Sequence, residues 1–217
     1  MDLVLATGNA HKVREIRALC EGLPVRLRTL DEFPGLPAIV EDGATFEANA
    51  RKKAQAVARA TGRIALADDS GVEVDALGGA PGVYSARWAG RPGDDAANNA
   101  KLVAALRDVP EPQRTMRYRC VIAVADPDAV LFTAEGVCAG RVLLEPRGTN
   151  GFGYDPHMLI PEFGRTMAEL APDVKNRISH RGRALAACRE RLEALIRARG
   201  ALGLNFEPGL ADNPHVP

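Results

Sequence analysis

Two adjacent carboxylates, Asp68 and Asp69, are followed by Ser70 and Gly71 and preceded by the apolar run 64–67. The run reads as a buried strand that stops at a loop, with Val72-Glu73-Val74 leading out. Carboxylates in such a place are costly unless paired or bound to a cation. In open α/β sheets, ligands gather at strand ends. The pair therefore fits a hard-cation site, since Mg2+ takes carboxylate oxygens and keeps waters for a phosphate substrate. Asp, Ser and Gly suit an ordinary turn as well.

Other residues of the right type surround this pair in the sequence. Thr7-Gly8-Asn9-Ala10-His11-Lys12 lies between a short apolar strand at 3–6 and a helical pattern carried by Val13, Ile16, Leu19 and Cys20. Strand, glycine-containing loop and helix with an early Lys is the layout of a phosphate cradle, although the P-loop spacing is absent. Glu41-Asp42-Gly43 is a second acidic turn, and it leads into a helix at 45–61. On that helix Asn49 and Lys53 stand four apart, off the apolar stripe of Phe46, Ala50, Ala54 and Val57. The loop 147–156 carries Gly148, Gly151 and Gly153 with Phe152 and Tyr154 outside any hydrophobic period; such aromatics either plug a core or stack on a base. Lys175, His180 and Arg181 cluster around Ser179, which suits the N-cap of the last helix. Cations in a first turn oppose the helix dipole and point to a task elsewhere.

Helices and strands that place these residues alternate along the chain. Strands are expected at 3–6, 25–29, 64–67, 116–125, 130–138 and 141–144, the fourth and fifth forming a hairpin through Asp126-Pro127-Asp128. Helices are expected after Ala10, at 45–61, at 94–107, as a short segment opened by a Thr166–Glu169 capping box, and from Ser179 onward. Asp94 and Asp95 are accounted for by the dipole of the helix they open. The loop 77–88, with three Gly and one Pro within residues 78–82, is either a tight corner or the lip of a site. Residues 201–217 read as a loosely ordered tail after a single domain at 1–200.

Composition narrows the classes. With 217 residues, 28 basic and 28 acidic side chains, the chain carries no net charge, which argues against a general nucleic-acid binder. Its four scattered cysteines have no metal-ligand spacing and read as buried, reduced thiols of a cytoplasmic protein. No apolar run approaches the ~18 residues of a membrane span.

Five segments, in order, resemble the inosine/xanthosine triphosphate pyrophosphatase family: Thr-Gly-Asn-x-x-Lys at 7–12, Asp-Asp-Ser-Gly at 68–71, Leu-Gly-Gly-x-Pro-Gly-x-Tyr-Ser-Ala-Arg at 77–87, Gly-Phe-Gly-Tyr-Asp-Pro at 151–156 and Ser-His-Arg at 179–181. The resemblance covers roughly residues 2–199. It implies an α/β fold in two lobes, with a long central mixed sheet flanked by helices and a cleft between the lobes. It implies a homodimer and Mg2+-dependent hydrolysis of ITP, dITP and XTP to the monophosphate and pyrophosphate. Thr7, Gly8, Asn9, Ala10, His11 and Lys12 would hold the triphosphate, with Lys53 and Ser70 on phosphate oxygens. Asp69 would be the general base and bind the metal with Glu41. Phe152, Gly153, Tyr154, Asp155, Lys175, His180 and Arg181 would form the nucleoside pocket. Two other readings share some of these features: a pyrophosphatase for other nucleotides, and a non-catalytic nucleotide sensor.

Overall fold

The computed structural model describes residues 1–36 and 38–201. One mixed sheet of eight strands organises them: β1 (Asp2–Leu5), β2 (Arg26–Arg28), β3 (Ile64–Val74), β4 (Pro81–Gly82), β5 (Thr115–Ala125), β6 (Val130–Val142), β7 (Met158–Ile160) and β8 (Arg165–Thr166). Their order is β2-β1-β3-β5-β6-β7-β8, with β4 pairing to β3. β1 runs parallel to β2 and β3; β5 is antiparallel to both of its neighbours, β3 and β6. The helices are α1 (Ala10–Leu19), α2 (Phe46–Thr61), α3 (Asp95–Leu106), α4 (Pro172–Ile178) and α5 (His180–Ala201).

Residue alternation along the strands divides the core by face. Leu3, Leu5, Leu66, Ile122 and Val124 pack with Cys188 and Leu192 of α5 and with Ile16 of α1. Val4, Ala65, Ala67, Val121 and Ala123 pack on the other face against Phe46, Ala50, Ala54 and Val57 of α2. A third cluster joins the far end of β3 (Val72, Val74) to Leu102, Met116, Tyr118, Met158 and Met167. α2 has the boundaries its sequence indicates: the Thr45 side chain accepts from Ala48 N, and Gly62 closes the helix in the left-handed region. All four cysteines are free and buried.

Three expectations need correction. β3 does not stop at Ala67 but continues through both aspartates to Val74. It can do so because β5 pairs with it from Ala65 to Val74, so its backbone groups are satisfied on that side throughout. No separate strand forms at 141–144: residues 141–142 are the end of β6, which runs unbroken to Val142, and 143–144 lie outside any strand. No helix starts at Thr166: that residue ends β8, its N–H donates to the Glu169 carboxylate within a turn, and the helix begins only at Pro172, whose missing N–H suits a first helical position. The expected tail falls, from residue 202, outside the described residues.

Candidate active site

The site is built where β1 ends before its neighbour does. β1 pairs with β3 through Leu5↔Leu66, and Ala6 N still donates to Leu66 O at 2.8 Å. β4 takes up the same edge of β3 only at Val72↔Gly82. Among the described residues, 67–71 are therefore paired on the β5 side alone, and a notch opens in the sheet beside them. The loop 7–9 and the start of α1 leave β1 at this notch. Gly71 closes its far end, where a side chain would collide with Ser85 Oγ, Gly82 O and the Phe46 ring.

Consecutive residues on a strand point to opposite faces. Asp69 faces α2. The buried Asn49 donates its side-chain amide to Asp69 Oδ2 at 2.9 Å, while Asn49 Oδ1 accepts from Gly43 N at 2.8 Å. Lys53 Nζ lies 3.9 Å from Asp69 and 3.2 Å from Glu41. One helix face thus holds the strand carboxylate and the loop bearing Glu41. Burial pushes the Asp69 carboxyl above its ordinary value, with Glu41 adding to the effect, while Lys53 and Asn49 restrain it. A carboxylate so raised is a better proton acceptor near neutral pH than a solvated one.

Asp68 and Ser70 face the other way, toward α1 and α5. Lys12 Nζ is 2.8 Å from Asp68 Oδ2, and Arg181 Nε is 3.8 Å from the same oxygen. Arg181 Nη2 donates to Ser70 Oγ at 3.2 Å, and Nη1 lies 3.2 Å from Glu15 Oε2. Burial alone would raise the Asp68 carboxyl, but Lys12 and Arg181 outweigh it and hold it below its ordinary value. Lys12 and Arg181 are correspondingly kept protonated by Asp68, against their own burial. The cradle ahead of Lys12 is preorganised: Thr7 Oγ1 accepts from Asn9 N, and Asn9 Oδ1 caps α1 by accepting from Lys12 N. Gly8 and Ala10 complete the turn; the side chain of His11 is outside the described residues.

Tyr118, Asp155 and Lys175 form the third wall. Lys175 Nζ lies 2.6 Å from Asp155 Oδ2, Tyr118 donates its hydroxyl to Asp155 Oδ1 at 3.0 Å, and Phe152 N donates to Oδ2 at 3.0 Å. Phe152 itself is 54% exposed, with Lys175 Nζ 5.4 Å and Arg181 Cζ 5.9 Å from its ring centre. That leaves an aromatic face beside two cations, a surface suited to a flat ring with acceptor oxygens. Gly153 N donates to Asp95 Oδ2 at 2.7 Å, so Asp95 does more than complement its own helix: it ties α3 to this loop. Tyr154 is placed differently from Phe152. It is buried in the core with its hydroxyl donating to Ser85 O at 2.9 Å. His180 stacks on Tyr118 with centroids 4.6 Å apart. Burial, with Arg181 and Lys175 nearby, pulls its pKa down to about 3, so this ring is neutral rather than the cation its first-turn position suggests.

Asp68 does not share a cation with Asp69 as the sequence suggests, because neighbouring strand residues face opposite sides of the sheet and Asp68 pairs with Lys12 and Arg181 instead. Asn49, Glu15 and Tyr118 have structural links to the site that the sequence does not assign; Asn49 had a visible signal, since it shares a helix face with Lys53. Glu15 is three residues beyond Lys12 and so on the same side of α1, a weaker clue. Tyr118 had none, because its contact with Asp155 is made across the fold. The polar contacts are not saturated. Both Asp68 oxygens, Glu15 Oε2, Arg181 Nε and His180 Nδ1 are buried without a well-aligned hydrogen bond, leaving capacity for a polar ligand or water. The donor set also suits a hard cation. Glu41 and Asp69 already bracket the Lys53 ammonium, and no three potential ligands cluster among the described residues. A bound Mg2+ would thus draw its other oxygens from water and phosphate.

The chain is similar in sequence and fold to known proteins. A dITP/XTP pyrophosphatase of Desulforamulus reducens is 55% identical over 195 residues, spanning 90% of this chain and 97% of that protein. Another, of Geobacter sulfurreducens, is 53% identical over 190 residues, 88% of this chain and 96% of the relative. The solved structure of a HAM1 protein from Coxiella burnetii has a TM-score of 0.82 at 41% identity, covering 91% of this chain and 99% of that one. That of the Staphylococcus aureus Ham1 protein gives 0.84 at 35% identity, with 90% and 100% covered. With the family model matching residues 3–191, the chain belongs to the Ham1 family.

Proposed function

We propose that this protein is a nucleoside-triphosphate pyrophosphatase that hydrolyses deaminated purine nucleotides, ITP, dITP and XTP, to the monophosphate and pyrophosphate. The observation that carries the reading is the division of β3: Asp69, with Asn49 and Lys53, on one side of the notch, and Lys12, Asp68 and Arg181 on the other. A triphosphate in the notch meets the capped start of α1 and the Lys12 ammonium, both favourable to anions. Lys53 and Ser70 lie within the same opening. Asp69 takes a proton from the attacking water as its oxygen bonds to the α-phosphorus, and the bond to the bridging oxygen of the β-phosphate breaks to release pyrophosphate. Mg2+, held by Glu41 and Asp69, would supply neutralisation of the phosphate charge and a more acidic water. The base stacks on Phe152, and Lys175 and Arg181 donate N–H bonds to its C6 oxygen, where adenine offers an amino group instead. Asp155 holds Lys175 for this role, while the neutral His180 contributes at most one donor.

The proposal includes a two-lobed arrangement around the notch and a homodimer, which rest on the family resemblance, and a cytoplasmic location, which rests on the four free, buried cysteines. No described helix is long and apolar enough to cross a membrane. The direct test is phosphate release from ITP, XTP, GTP and ATP in the presence of Mg2+ and added inorganic pyrophosphatase. ITP and XTP should be hydrolysed with much higher kcat/KM than ATP, and no inorganic phosphate should appear when the coupling pyrophosphatase is omitted. Equal turnover of ATP and ITP would remove the assignment of deaminated purines.

A further inference from the structure

We infer that Glu15 is a positioning residue for purine discrimination, acting by clamping Arg181; the inference rests on the pyrophosphatase reading above. Every nitrogen of the Arg181 guanidinium faces a group of the protein. Nη1 is 3.2 Å from Glu15 Oε2, Nη2 donates to Ser70 Oγ at 3.2 Å, and Nε is 3.8 Å from Asp68 Oδ2. Nη1 and Nη2 each carry two hydrogens, so a second N–H on each is left over once these contacts are made. Which way those remaining hydrogens point is set by the plane of the fork, and that plane is defined by Glu15 on α1 and by Asp68 and Ser70 on β3. Asp68 also answers to Lys12, 2.8 Å away. Ser70 is neutral. Among the ion pairs of the described residues, Glu15 pairs with Arg181 alone, whereas Asp68 is shared between Arg181 and Lys12.

Geometry favours a positioning task over a packing one. Arg181 is buried, whereas about a third of the Glu15 side chain is exposed. On its other side Glu15 borders a cavity of about 250 Å3 between α1 and α5, lined also by Asn176, Ser179 and Leu185. The oxygen that meets Arg181 is itself buried, so the ion pair is shielded from water although the side chain as a whole is partly exposed. The clamp also links the two halves of the substrate site. Glu15 stands one turn from Lys12 on α1, so the helix that receives phosphates fixes the side chain that reads the base. Arg181 in turn sits in the first turn of α5, where a cation opposes the dipole; the two carboxylates offset that.

Glu15→Gln keeps the size of the side chain and removes its charge. The experiment measures kcat/KM for ITP and ATP in wild type, Glu15→Gln, Glu15→Asp, Arg181→Ala and the Glu15→Gln/Arg181→Ala double variant, with folding checked by Tm. Glu15→Gln should lower the ITP/ATP ratio about tenfold, the scale of coupling between contacting side chains, chiefly through KM for ITP. Glu15→Asp, which keeps the charge, should recover part of it. In the Arg181→Ala background the Gln substitution should have no further effect on the ratio. A folded Glu15→Gln with the wild-type ratio overturns the clamp, and so does an additive loss in the double variant. A wild type that fails to prefer ITP strikes the pyrophosphatase reading itself, an outcome separate from either.

Discussion

Asn49 and Asp69, twenty residues apart in sequence, share a buried 2.9 Å hydrogen bond to Oδ2 of the aspartate, whose Oδ1 accepts from Ser70 N at 3.0 Å. The amide donates to Oδ2, and its own oxygen is occupied by Gly43 N. Neither group can turn without losing a partner. Hydrogen bonds to charged groups contribute about 1.5–3 kcal/mol, so Asn49→Ala should lower kcat/KM for ITP by tenfold or more. The sign of the pH effect follows from the same contact. Asn49 holds the Asp69 carboxyl down against burial, and only the ionised form accepts a proton. Removing Asn49 should move the acid limb of the kcat/KM profile to higher pH. A limb left in place would show that another group governs it.

Asp69→Asn tests the base directly. The substituted amide keeps the shape but cannot accept the proton of the attacking water, and kcat should fall by ~10²–10⁴ while the fold persists. Circular dichroism and thermal melting establish the fold, and single-turnover hydrolysis of ITP gives the rate. Near wild-type turnover in the folded variant would assign the base elsewhere.

Lys12→Met separates triphosphate binding from base reading. KM should rise for ITP and ATP together, leaving their ratio unchanged. The variant also strips Asp68 of its nearest cation. With its carboxyl held below the ordinary 3.8, Asp68 contributes stability that is fully present above that value and lost as pH falls through the lower folded-state value. Without Lys12 that depression shrinks, so acid unfolding of Lys12→Met should begin at a higher pH than in wild type. Parallel acid titrations followed by tryptophan fluorescence of Trp88 would show the difference.

Gly136 on β6 gives a test from behind the site. A side chain there would overlap His180 O and Ala184 N, backbone atoms of α5 that cannot swing away. Overpacking of this kind costs about 1–3 kcal/mol, or roughly 2–12 °C in Tm for a chain of this size. Gly136→Ala should therefore melt earlier and, by lifting the first turn of α5, lose selectivity for ITP over ATP. A lowered Tm with selectivity intact would mean that α5 tilts without moving Arg181.

The sequence was most legible where local physics and function agree. Thr45, the apolar stripe of α2 and Gly62 mark a helix with no help from the rest of the fold. Lys12, Asp69 and Arg181 are conspicuous because charge is out of place at a strand and in a helix's first turn. The aspartates misled on β3, where two carboxylates after an apolar run look like an end. Pairing with β5, fifty residues later, carries the strand through them, and no local window contains that partner. Thr166 and Glu169 make a genuine side-chain contact, yet the same contact serves a turn as readily as a helix start. The role of Tyr118 rests on a bond to Asp155, thirty-seven residues distant, and distance of that kind leaves no spacing to read.

The opposite orientations of Asp68 and Asp69 have an evolutionary corollary. On the proposed reading, the hydrolytic Asp69 with Asn49 and Lys53 lies on the α2 side of the sheet, whereas Arg181, which would judge the base, lies on the α5 side. Substitutions drawn from the α5 side can change which nucleotide is accepted without revisiting the hydrolytic groups. A library randomised at 136, 175 and 180–184, screened on a panel of nucleoside triphosphates, should yield altered preferences at retained turnover far more often than an equal library spread over 41–53.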